Sequence, residues 1–551
     1  MLASQGYARP RWNVGLTVHD VVRVLRIFGR VLRLPFILPF ITFLFTYAYA
    51  VRYWCGVYDC NGLWKPAFPN SWRNWTLALA AATFNATLWL VIVLGWEAML
   101  WWSRTRKGRY VRSRTGSPRV SEDEAGEGLL PDDERPSSPP LPTSRRRAPR
   151  TLKWPVVFWW LQIVLYASIS FVGIWEATHY EHPNDVRFRP ALQHALADAT
   201  IKPTGYGKGE KIFIAAAFSN NKDVLPYWIS TFTAVITYLG TANVFVSIVE
   251  SHSNDNSAEL LLSFSDTLTD LGVAHRILVR DDDAIERPAD LSFNNRINFL
   301  AAIRNRVLEP LVQYGGYDRV LFSNDVFVEP ESVIELIETD GGKYDMACAL
   351  DFNHFGGYDA WVLRDRLGHL TSTIWPYFID KPSIERMYED APVPVFTCWN
   401  GMVVFSADPL LPISLRSNHT LSTAPLPHAL PSTHPAARNP ALLGPSPALT
   451  PPLRFRASDR DAGECFSSES FLLPYDFRRV FNLQRVLVNP RVVTSYGWKF
   501  YVWYKWVLAH RAVRWWVRDV YGGAWMERAK MVVGNEADVW VWDGGDCHPW
   551  W

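Results

Sequence analysis

The sequence has little net charge and few cysteines. Its 56 Lys and Arg are nearly balanced by 54 Asp and Glu, so the formal net charge at pH 7 is only +2. That balance gives no support for a nucleic-acid partner, which requires clustered positive charge. The cysteines fall in no zinc-binding spacing, and their number requires no disulfide framework; they are Cys55, Cys60, Cys348, Cys398, Cys465 and Cys547.

A cleavable signal peptide is also not evident, because the first apolar run starts late and lacks a small-residue cleavage site. Three uncharged runs stand out instead, at 34–51, 75–96 and 154–175. At about 1.5 Å per residue, each is long enough as a helix to cross a hydrocarbon core. Trp and Tyr cluster at their ends, as interfacial residues do. The runs predict three transmembrane helices, with a buried core helix as the alternative for each.

Basic residues are distributed unevenly between these runs. Residues 1–33 carry six arginines, the loop 52–74 three basic residues and the loop 103–153 thirteen. The positive-inside rule then places the N-terminus and the loop 103–153 in the cytoplasm, and everything after the third run in the secretory lumen. The loop 103–153 is rich in Ser, Pro, Arg and Glu and is predicted to be disordered. A Cys55–Cys60 disulfide remains open if the loop 52–74 is lumenal.

From residue 211 the pattern changes to alternating strands and helices. This alternation predicts an α/β domain over 211–496 with a mostly parallel mixed sheet. Predicted strands are 211–218, 243–250, 275–279, 319–327, 345–352 and 395–405, and predicted helices are 224–238, 259–271 and 296–312.

Three segments fall outside that alternating pattern. Residues 176–210 are interpreted as a stem, and 413–450, nearly all Pro, Ser, Ala, Leu, Thr and His, as a disordered insertion. The Trp-rich segment 497–551 is interpreted as either packed or lying on a membrane surface.

The segment Arg319–Phe327 is the centre of the functional prediction. It reads as a buried strand that ends in Ser323, Asn324 and Asp325. In open α/β sheets, ligands bind outside the carboxyl ends of the strands. A carboxylate there suits a divalent cation that neutralises a diphosphate. The alternative is an ordinary turn, since Asn and Asp are common turn formers.

Several distinctive blocks follow one another along the predicted domain. They are IAAAFSNN from Ile214, NVFVSIVES from Asn243, RNRVLEP from Arg304, VLFSNDVF from Val320, ALDF from Ala349, CWNGM from Cys398, PLRFR from Pro452 and SESFLLPYD from Ser468. In this order they resemble the fungal capsule-associated α-1,3-mannosyltransferases, glycosyltransferase family 69. The resemblance spans roughly 211–496 and departs from the family where Ser470 replaces the usual Cys. Ser323 also stands where nucleotide-sugar transferases commonly carry the first Asp of Asp-x-Asp.

The resemblance implies a GT-A-like fold, a GDP-mannose donor and a mannose-containing glycan acceptor. It also implies Mn²⁺ or Mg²⁺ as the cofactor, an α-1,3 linkage formed with net retention, and a Golgi or other secretory-pathway location. Two rival interpretations stay open. The domain could use another donor such as UDP-xylose or UDP-glucose, or it could be a catalytically impaired scaffold of wall or capsule assembly.

Three acidic residues are predicted to act in catalysis. Asp325 is expected to be the metal ligand that bridges the cation to the donor diphosphate. Asp351, at the end of the next strand, would contact sugar hydroxyls or support the metal. Glu469 would bind the acceptor hydroxyl or flank the anomeric carbon, and leaving-group-side attack and a covalent Glu intermediate both remain open.

Donor contacts are assigned to the residues around Asp325 and to one helix. Ser323 and Asn324 are expected to bind ribose or sugar hydroxyls. Arg304 and Asn305 lie on the preceding helix. Because residues two apart do not share a helical face, only one of Arg304 and Arg306 is expected to face phosphate, and Arg304 is preferred.

Acceptor contacts are assigned to Trp399, Asn400 and Asp476. The indole would stack on a sugar ring while the amide fixes a hydroxyl, and Gly401 would allow a close backbone approach. Two further residues are candidate third metal ligands or ordinary loop histidines, namely His252 and His354.

Overall fold

The computed structural model describes residues 95, 154–179, 183–198, 200–353, 356–359, 362–366, 371, 375–378, 380–419, 421, 449–459, 466–515 and 518–519. The chain divides into two compact units, Met1–Tyr180 and Glu181–Trp551. In the first unit the structure describes helix α1, Trp154–His179, which falls on the third apolar run. The predicted spans 34–51 and 75–96 lie outside the described residues. Among the described helices, none has the length and apolarity needed for a membrane span, so the transmembrane prediction has no support from the structure.

The second unit alternates helices and strands as predicted. Its helices are α2 Pro183–Val186, α3 Arg189–Ala197, α4 Leu225–Leu239, α5 Ser257–Asp270, α6 Phe293–Tyr314, α7 Pro330–Ile337, α8 Lys381–Tyr388, α9 Glu469–Phe481, α10 Trp498–Val502 and α11 Arg511–Trp515. Its strands are β1 Ile212–Phe218, β2 Val244–Glu250, β3 Ala274–Leu278, β4 Arg319–Ser323, β5 Met346–Asn353, β6 Gly356–Gly357, β7 Arg364–Asp365, β8 Val393–Thr397, β9 Met402–Ser406 and β10 Val486–Ser495.

The described strands form one mixed sheet in the order β3-β2-β1-β4-β9-β5-β10-β8-β7, with β6 beside β5. Pairing is parallel from β3 to β4 and between β5 and β10. It is antiparallel where β9 lies between β4 and β5, and in the pairs β10–β8, β5–β6 and β7–β8. The sheet is therefore mixed, but it is less parallel than the sequence pattern predicts.

The core covers both faces of the parallel half of the sheet. Strand β1 reads Ile-Phe-Ile-Ala-Ala-Ala-Phe and is buried almost throughout, as expected for a parallel strand with helices on both sides. Helix α4 contributes Trp228 and Phe232 to this core. The predicted stem also takes part, since α3 buries Leu192 and Ala195 in the same cluster. Part of the segment 176–210 is thus built into the domain.

One predicted strand, 395–405, is in fact two. Strands β8 and β9 are separated by a turn in which Asn400 and Gly401 have φ of 53° and 74°. Few residues adopt this left-handed conformation, and Asn and Gly are the ones that do so most readily. At Gly401 a Cβ would lie only 2.6 Å from Thr494 Oγ1. The Asn-Gly pair therefore breaks the strand and shifts the chain sideways within the sheet, from β8 beside β10 to β9 between β4 and β5, without reversing its direction.

A disulfide joins β5 to the start of that turn, between Cys348 and Cys398. The cysteine spacing did not predict it. It closes a loop with a sequence separation of 50, and such a crosslink stabilises a fold mainly by restricting the unfolded chain.

Replacing both Cys348 and Cys398 by alanine is expected to lower the free energy of unfolding by about 2–4 kcal/mol. Urea denaturation followed by circular dichroism measures this difference. Wild-type protein treated with a thiol reductant is the matched control and should lose a similar amount. Equal urea midpoints for variant and wild type would contradict the prediction.

The chain on either side of the predicted insertion is held together at its ends. The Leu453 amide donates to the Pro409 carbonyl at 2.9 Å. The Leu453–Pro409 hydrogen bond therefore joins the chain on the two sides of the predicted insertion. At the start of the insertion, the amides of Ser417 and Asn418 both donate to the Asp408 carboxylate at 2.8 Å.

Deleting 422–448 and joining the ends with a short Gly-Ser linker is expected to change the free energy of unfolding by less than about 1 kcal/mol, because loop length affects loop-closure entropy only weakly. Thermal unfolding of the deletion variant and the wild type tests this. A loss of more than about 2 kcal/mol would show that the insertion contributes to the fold.

Candidate functional site

A cavity of about 670 Å³ opens at the carboxyl ends of β1 and β4, where the sequence predicts the ligand. The register explains the convergence, since β1 and β4 are parallel while β9 starts where β4 ends. The wall combines an apolar helix face with acidic, basic and aromatic groups. Its residues are Ala217, Arg296, Ile297, Leu300, Ile303, Arg304, Phe322, Asn324, Asp325, Tyr358, Asp359, Val362, Trp399, Phe466, Ser468, Glu469, Ser470 and Tyr496.

Asp325 lies on the cavity wall directly beyond β4. Its Oδ2 accepts a hydrogen bond of 2.7 Å from Asn221 Nδ2. Burial raises the pKa of this carboxyl, while the Asn221 hydrogen bond and the charge of Arg304 partly offset the effect. Asp325 is thus a buried carboxyl on the cavity wall, with one oxygen fixed by the Asn221 amide.

Ser323 and Asn324 have different surroundings. Ser323 is fully buried, and its hydroxyl accepts from Trp228 Nε1 at 3.0 Å and donates to the Asn324 carbonyl at 2.8 Å. It is therefore a core residue, and the predicted contact with donor hydroxyls is not supported. Asn324 lines the cavity, where its amide donates to Tyr496 Oη at 2.8 Å and accepts from Trp399 Nε1 at 3.2 Å.

Arg304 and Glu469 form an ion pair at the cavity wall. Their Nη1 and Oε1 atoms are 2.9 Å apart, and the side chains are only 12% and 3% exposed. Ser468 caps the helix that carries Glu469 by accepting from the Phe471 amide. The prediction that Arg304 faces the ligand site is consistent with this position, but its charge is already matched by Glu469.

Trp399 is covered by its neighbours. The Arg304 guanidinium lies 4.6 Å from the Trp399 ring centroid, and the rings of Phe322 and Phe455 approach at 5.3 and 5.4 Å. The indole is 1% exposed. It therefore supports Arg304 and Asn324, and the predicted role as an open sugar platform is not supported.

Asp351, Asp359 and Asn400 form a buried polar cluster beside the cavity. Asp351 Oδ1 accepts from Asn400 Nδ2 at 3.2 Å and from the Asp359 amide at 3.3 Å. Its Oδ2 is buried and has no hydrogen-bond partner. Burial raises the pKa of Asp351, and the nearby Asp359 adds to the increase; burial also raises the pKa of Asp359. Asn400 is thus a link between the turn and Asp351, rather than an exposed acceptor contact.

Two predicted site residues lie away from the cavity and secure the chain after the insertion. Asn305 exchanges two hydrogen bonds with the Phe455 backbone, at 2.8 and 3.0 Å. Asp476 is buried, and its carboxylate accepts hydrogen bonds from Nε and Nη2 of Arg456 at 2.8 and 3.0 Å. Both pairs place Phe455 against Arg304, so these residues act on the site through packing, and the predicted donor and acceptor contacts are not supported.

The histidines provide no metal centre in the described part of the chain. His252 Nε2 lies 3.2 Å from the Ile285 carbonyl and its ring does not line the cavity. His354 lies outside the described residues. No group of three or more His, Cys, Asp or Glu among the described residues could hold a metal ion. A cation held mostly by substrate phosphates nevertheless needs only one or two carboxylates, and Asp325 places one carboxylate on the cavity wall.

Among the residues of the cavity wall that sequence reasoning missed are Arg296, Tyr358, Asp359 and Tyr496. Tyr358 is 51% exposed and its ring lies 4.7 Å from that of Tyr496. Tyr358 and Asp359 follow the very short strand β6, which cannot be predicted from the sequence because it contains no apolar run. The signal for Arg296 was available, since it precedes Arg304 by two helical turns on the same face.

Comparison with known proteins finds a family model that is similar to most of the second unit. Residues 211–476 match the family model described as cryptococcal mannosyltransferase 1. The chain is also 25% identical over 296 residues to alpha-1,3-mannosyltransferase CMT1 of Cryptococcus neoformans var. neoformans serotype D, covering 49% of this chain and 54% of that protein. The chain thus spans about half the length of the curated relative it matches.

Similar solved structures include mannosyltransferase PcManGT from Pyrobaculum calidifontis in complex with GDP-Man and Mn²⁺, at 9% identity and a TM-score of 0.28, covering 57% of this chain and 64% of that one. They also include TarS 1–349 of S. aureus in complex with UDP, at 10% identity and a TM-score of 0.27, covering 52% and 60%. At such TM-scores these likenesses establish neither the ligand nor the chemistry of this chain.

Proposed function

We propose that this chain is a glycosyltransferase that moves mannose from GDP-mannose to a mannose-containing glycan, because residues 211–476 match the mannosyltransferase family model. One observation carries the proposal, namely that the matched segment supplies nearly all of the cavity wall and places Asp325 on it, at the carboxyl end of the central strand. The domain is then of the GT-A kind, with the donor at the edge of the sheet where β1 and β4 end.

Asp325 would hold the divalent cation, Mn²⁺ or Mg²⁺, against the donor diphosphate. When bound, the cation supplies positive charge that stabilises the GDP leaving group. The protein's own part is to position that charge, since the hydrogen bond from Asn221 fixes Oδ2 of the Asp325 carboxylate. Asn324, held between Tyr496 and Trp399, would present its amide beside it.

Glu469 would act at the sugar. In the transfer the bond between the anomeric carbon and the GDP oxygen breaks, with its electron pair leaving on GDP. The acceptor hydroxyl oxygen bonds to that carbon, and its proton passes to the departing diphosphate oxygen. An α-1,3 product from an α-linked donor means net retention. Glu469 would therefore stabilise the positive charge that develops on the sugar, or attack it, while Arg304 holds the carboxylate in place at 2.9 Å.

We also propose that the domain works in the lumen of the secretory pathway, in the Golgi or another of its membranes. The Cys348–Cys398 disulfide supports an oxidising compartment, because such crosslinks persist mainly there.

A donor screen tests the proposed function. The purified full chain is incubated with GDP-mannose, UDP-glucose or UDP-xylose, with Mn²⁺ or with chelator, and with or without α-mannoside acceptors. Cation-dependent release of GDP from GDP-mannose that increases with acceptor is the expected result, and a preference for a UDP-sugar would replace the donor. Absence of turnover and of nucleotide binding with every donor would instead favour a scaffold. The variant lacking 422–448, assayed in parallel, should match the full chain.

A further inference from the structure

Helix α6 presents two arginines to the cavity. The residues of α6 that line it are Arg296, Ile297, Leu300, Ile303 and Arg304, spaced three or four apart. Positions separated by four or eight residues share a helical face. Arg296 and Arg304 therefore both face the cavity, two turns apart.

Only one of these guanidinium groups is neutralised. Arg304 is 12% exposed, pairs with Glu469 and lies over Trp399. Arg296 is exposed, and the described residues offer it no carboxylate within ion-pair distance. Its charge acts on the nearby Tyr358 phenol, whose ring lines the same cavity.

The charges around the cavity indicate what Arg296 could bind. Arg304 and Glu469 neutralise each other. Of the other charged groups on the described wall, Asp325 and Asp359 are acidic and Arg296 is basic. A diphosphate entering this space meets two carboxylates that repel it. It therefore needs a cation at Asp325 and a second positive group that carries no partner of its own.

We propose that Arg296 binds the diphosphate of the nucleotide-sugar donor, an inference that rests on the proposed function. A guanidinium presents a planar fork of N–H donors that matches two phosphate oxygens. Arg304, which the sequence favoured for this role, instead orients Glu469. The two arginines of α6 thus serve different parts of the donor.

Isothermal titration calorimetry of the full chain with GDP, in the presence of Mn²⁺, tests the assignment. Arg296→Gln is expected to weaken GDP binding about 10- to 100-fold, the usual effect of losing a charge-assisted hydrogen bond. Guanosine, which lacks phosphates, should bind both proteins equally. The GDP affinity of Arg296→Lys should lie between those of the wild type and Arg296→Gln, because lysine keeps the positive charge but lacks the planar pair of N–H donors.

Arg306→Gln is the matched control. Arg306 lies on the same helix, and its charge is already paired with Asp281 at 3.1 Å and Glu309 at 2.7 Å, outside the cavity wall. The Arg306→Gln substitution should therefore leave the affinity for GDP unchanged. Wild-type affinity for GDP in a folded Arg296→Gln protein would overturn the inference while leaving the proposed function standing. Failure of the wild type to bind GDP or UDP would overturn both.

Discussion

Asp325→Asn is expected to reduce cation-dependent turnover of the nucleotide sugar by about 10³-fold while leaving the fold intact. The amide has nearly the same shape as the carboxylate and can still accept from Asn221. It carries no charge, so it cannot hold a cation against the diphosphate. Initial rates with saturating donor, measured over a range of Mn²⁺ concentrations, give the size of the loss.

Stability should not fall in the same variant. Burial raises the pKa of Asp325, which means that the folded protein holds the ionised form at a cost in free energy. A neutral Asn removes this cost, so the free energy of unfolding at neutral pH should be equal or higher. Asp266→Asn, an exposed carboxylate on α5, is the control and should change neither quantity. Unchanged turnover in Asp325→Asn would remove Asp325 from the site.

The sheet was predictable where apolar runs are continuous. Strands β1, β2 and β4 lie within the predicted segments because both faces of a parallel sheet are buried, which keeps these strands mainly apolar, with Ser247 as the polar residue inside β2. The turn at Asn400 was missed because the apolar residues on either side of it read as a single run. The break between β8 and β9 depends on a positive φ at Asn400 and Gly401, which hydropathy does not register.

The site was predictable only in part, because the sequence does not show which polar groups already have partners. Asn324 and Asp325 follow a strand end and do reach the cavity. Asn305 and Asp476 lie in equally distinctive blocks, yet their polar atoms are satisfied by Phe455 and Arg456. Buried polar groups need such partners, so a recognisable block contains both ligand-facing and structural residues.

Residues outside the blocks were missed for a different reason. Whether Arg296 faces the cavity depends on how α6 is rotated against the sheet, and Asp359 depends on a loop that brings it back to Asp351. The eight-residue spacing puts Arg296 on the same helical face as Arg304, but it does not show which face of α6 meets the cavity. No spacing predicts the contact of Asp359 with Asp351. Both follow only once the strand order places the ends of β4, β5 and β9 together.

A double-mutant cycle on the ion pair between Arg304 and Glu469 should separate its effect on stability from its effect on turnover. Arg304→Met leaves a 3% exposed carboxylate without its partner, and it is expected to lower the free energy of unfolding by about 3–5 kcal/mol. Glu469→Gln keeps the shape of the side chain and should lower the free energy of unfolding by less than Arg304→Met does, because the Arg304 guanidinium still lies over Trp399. Both variants should lose about 10²-fold or more in turnover, since each removes or misplaces the carboxylate at the sugar.

The double variant separates the two roles. With both charges gone, Arg304→Met with Glu469→Gln should regain much of the stability lost in Arg304→Met alone, because no buried charge remains unpaired. Turnover should stay at the low level of Glu469→Gln, since the reaction needs the carboxylate itself. Chemical denaturation and steady-state rates on the same four proteins measure both quantities. Recovery of turnover together with stability would mean that Glu469 is only the structural partner of Arg304, and that the charge developing on the sugar is stabilised elsewhere in the cavity.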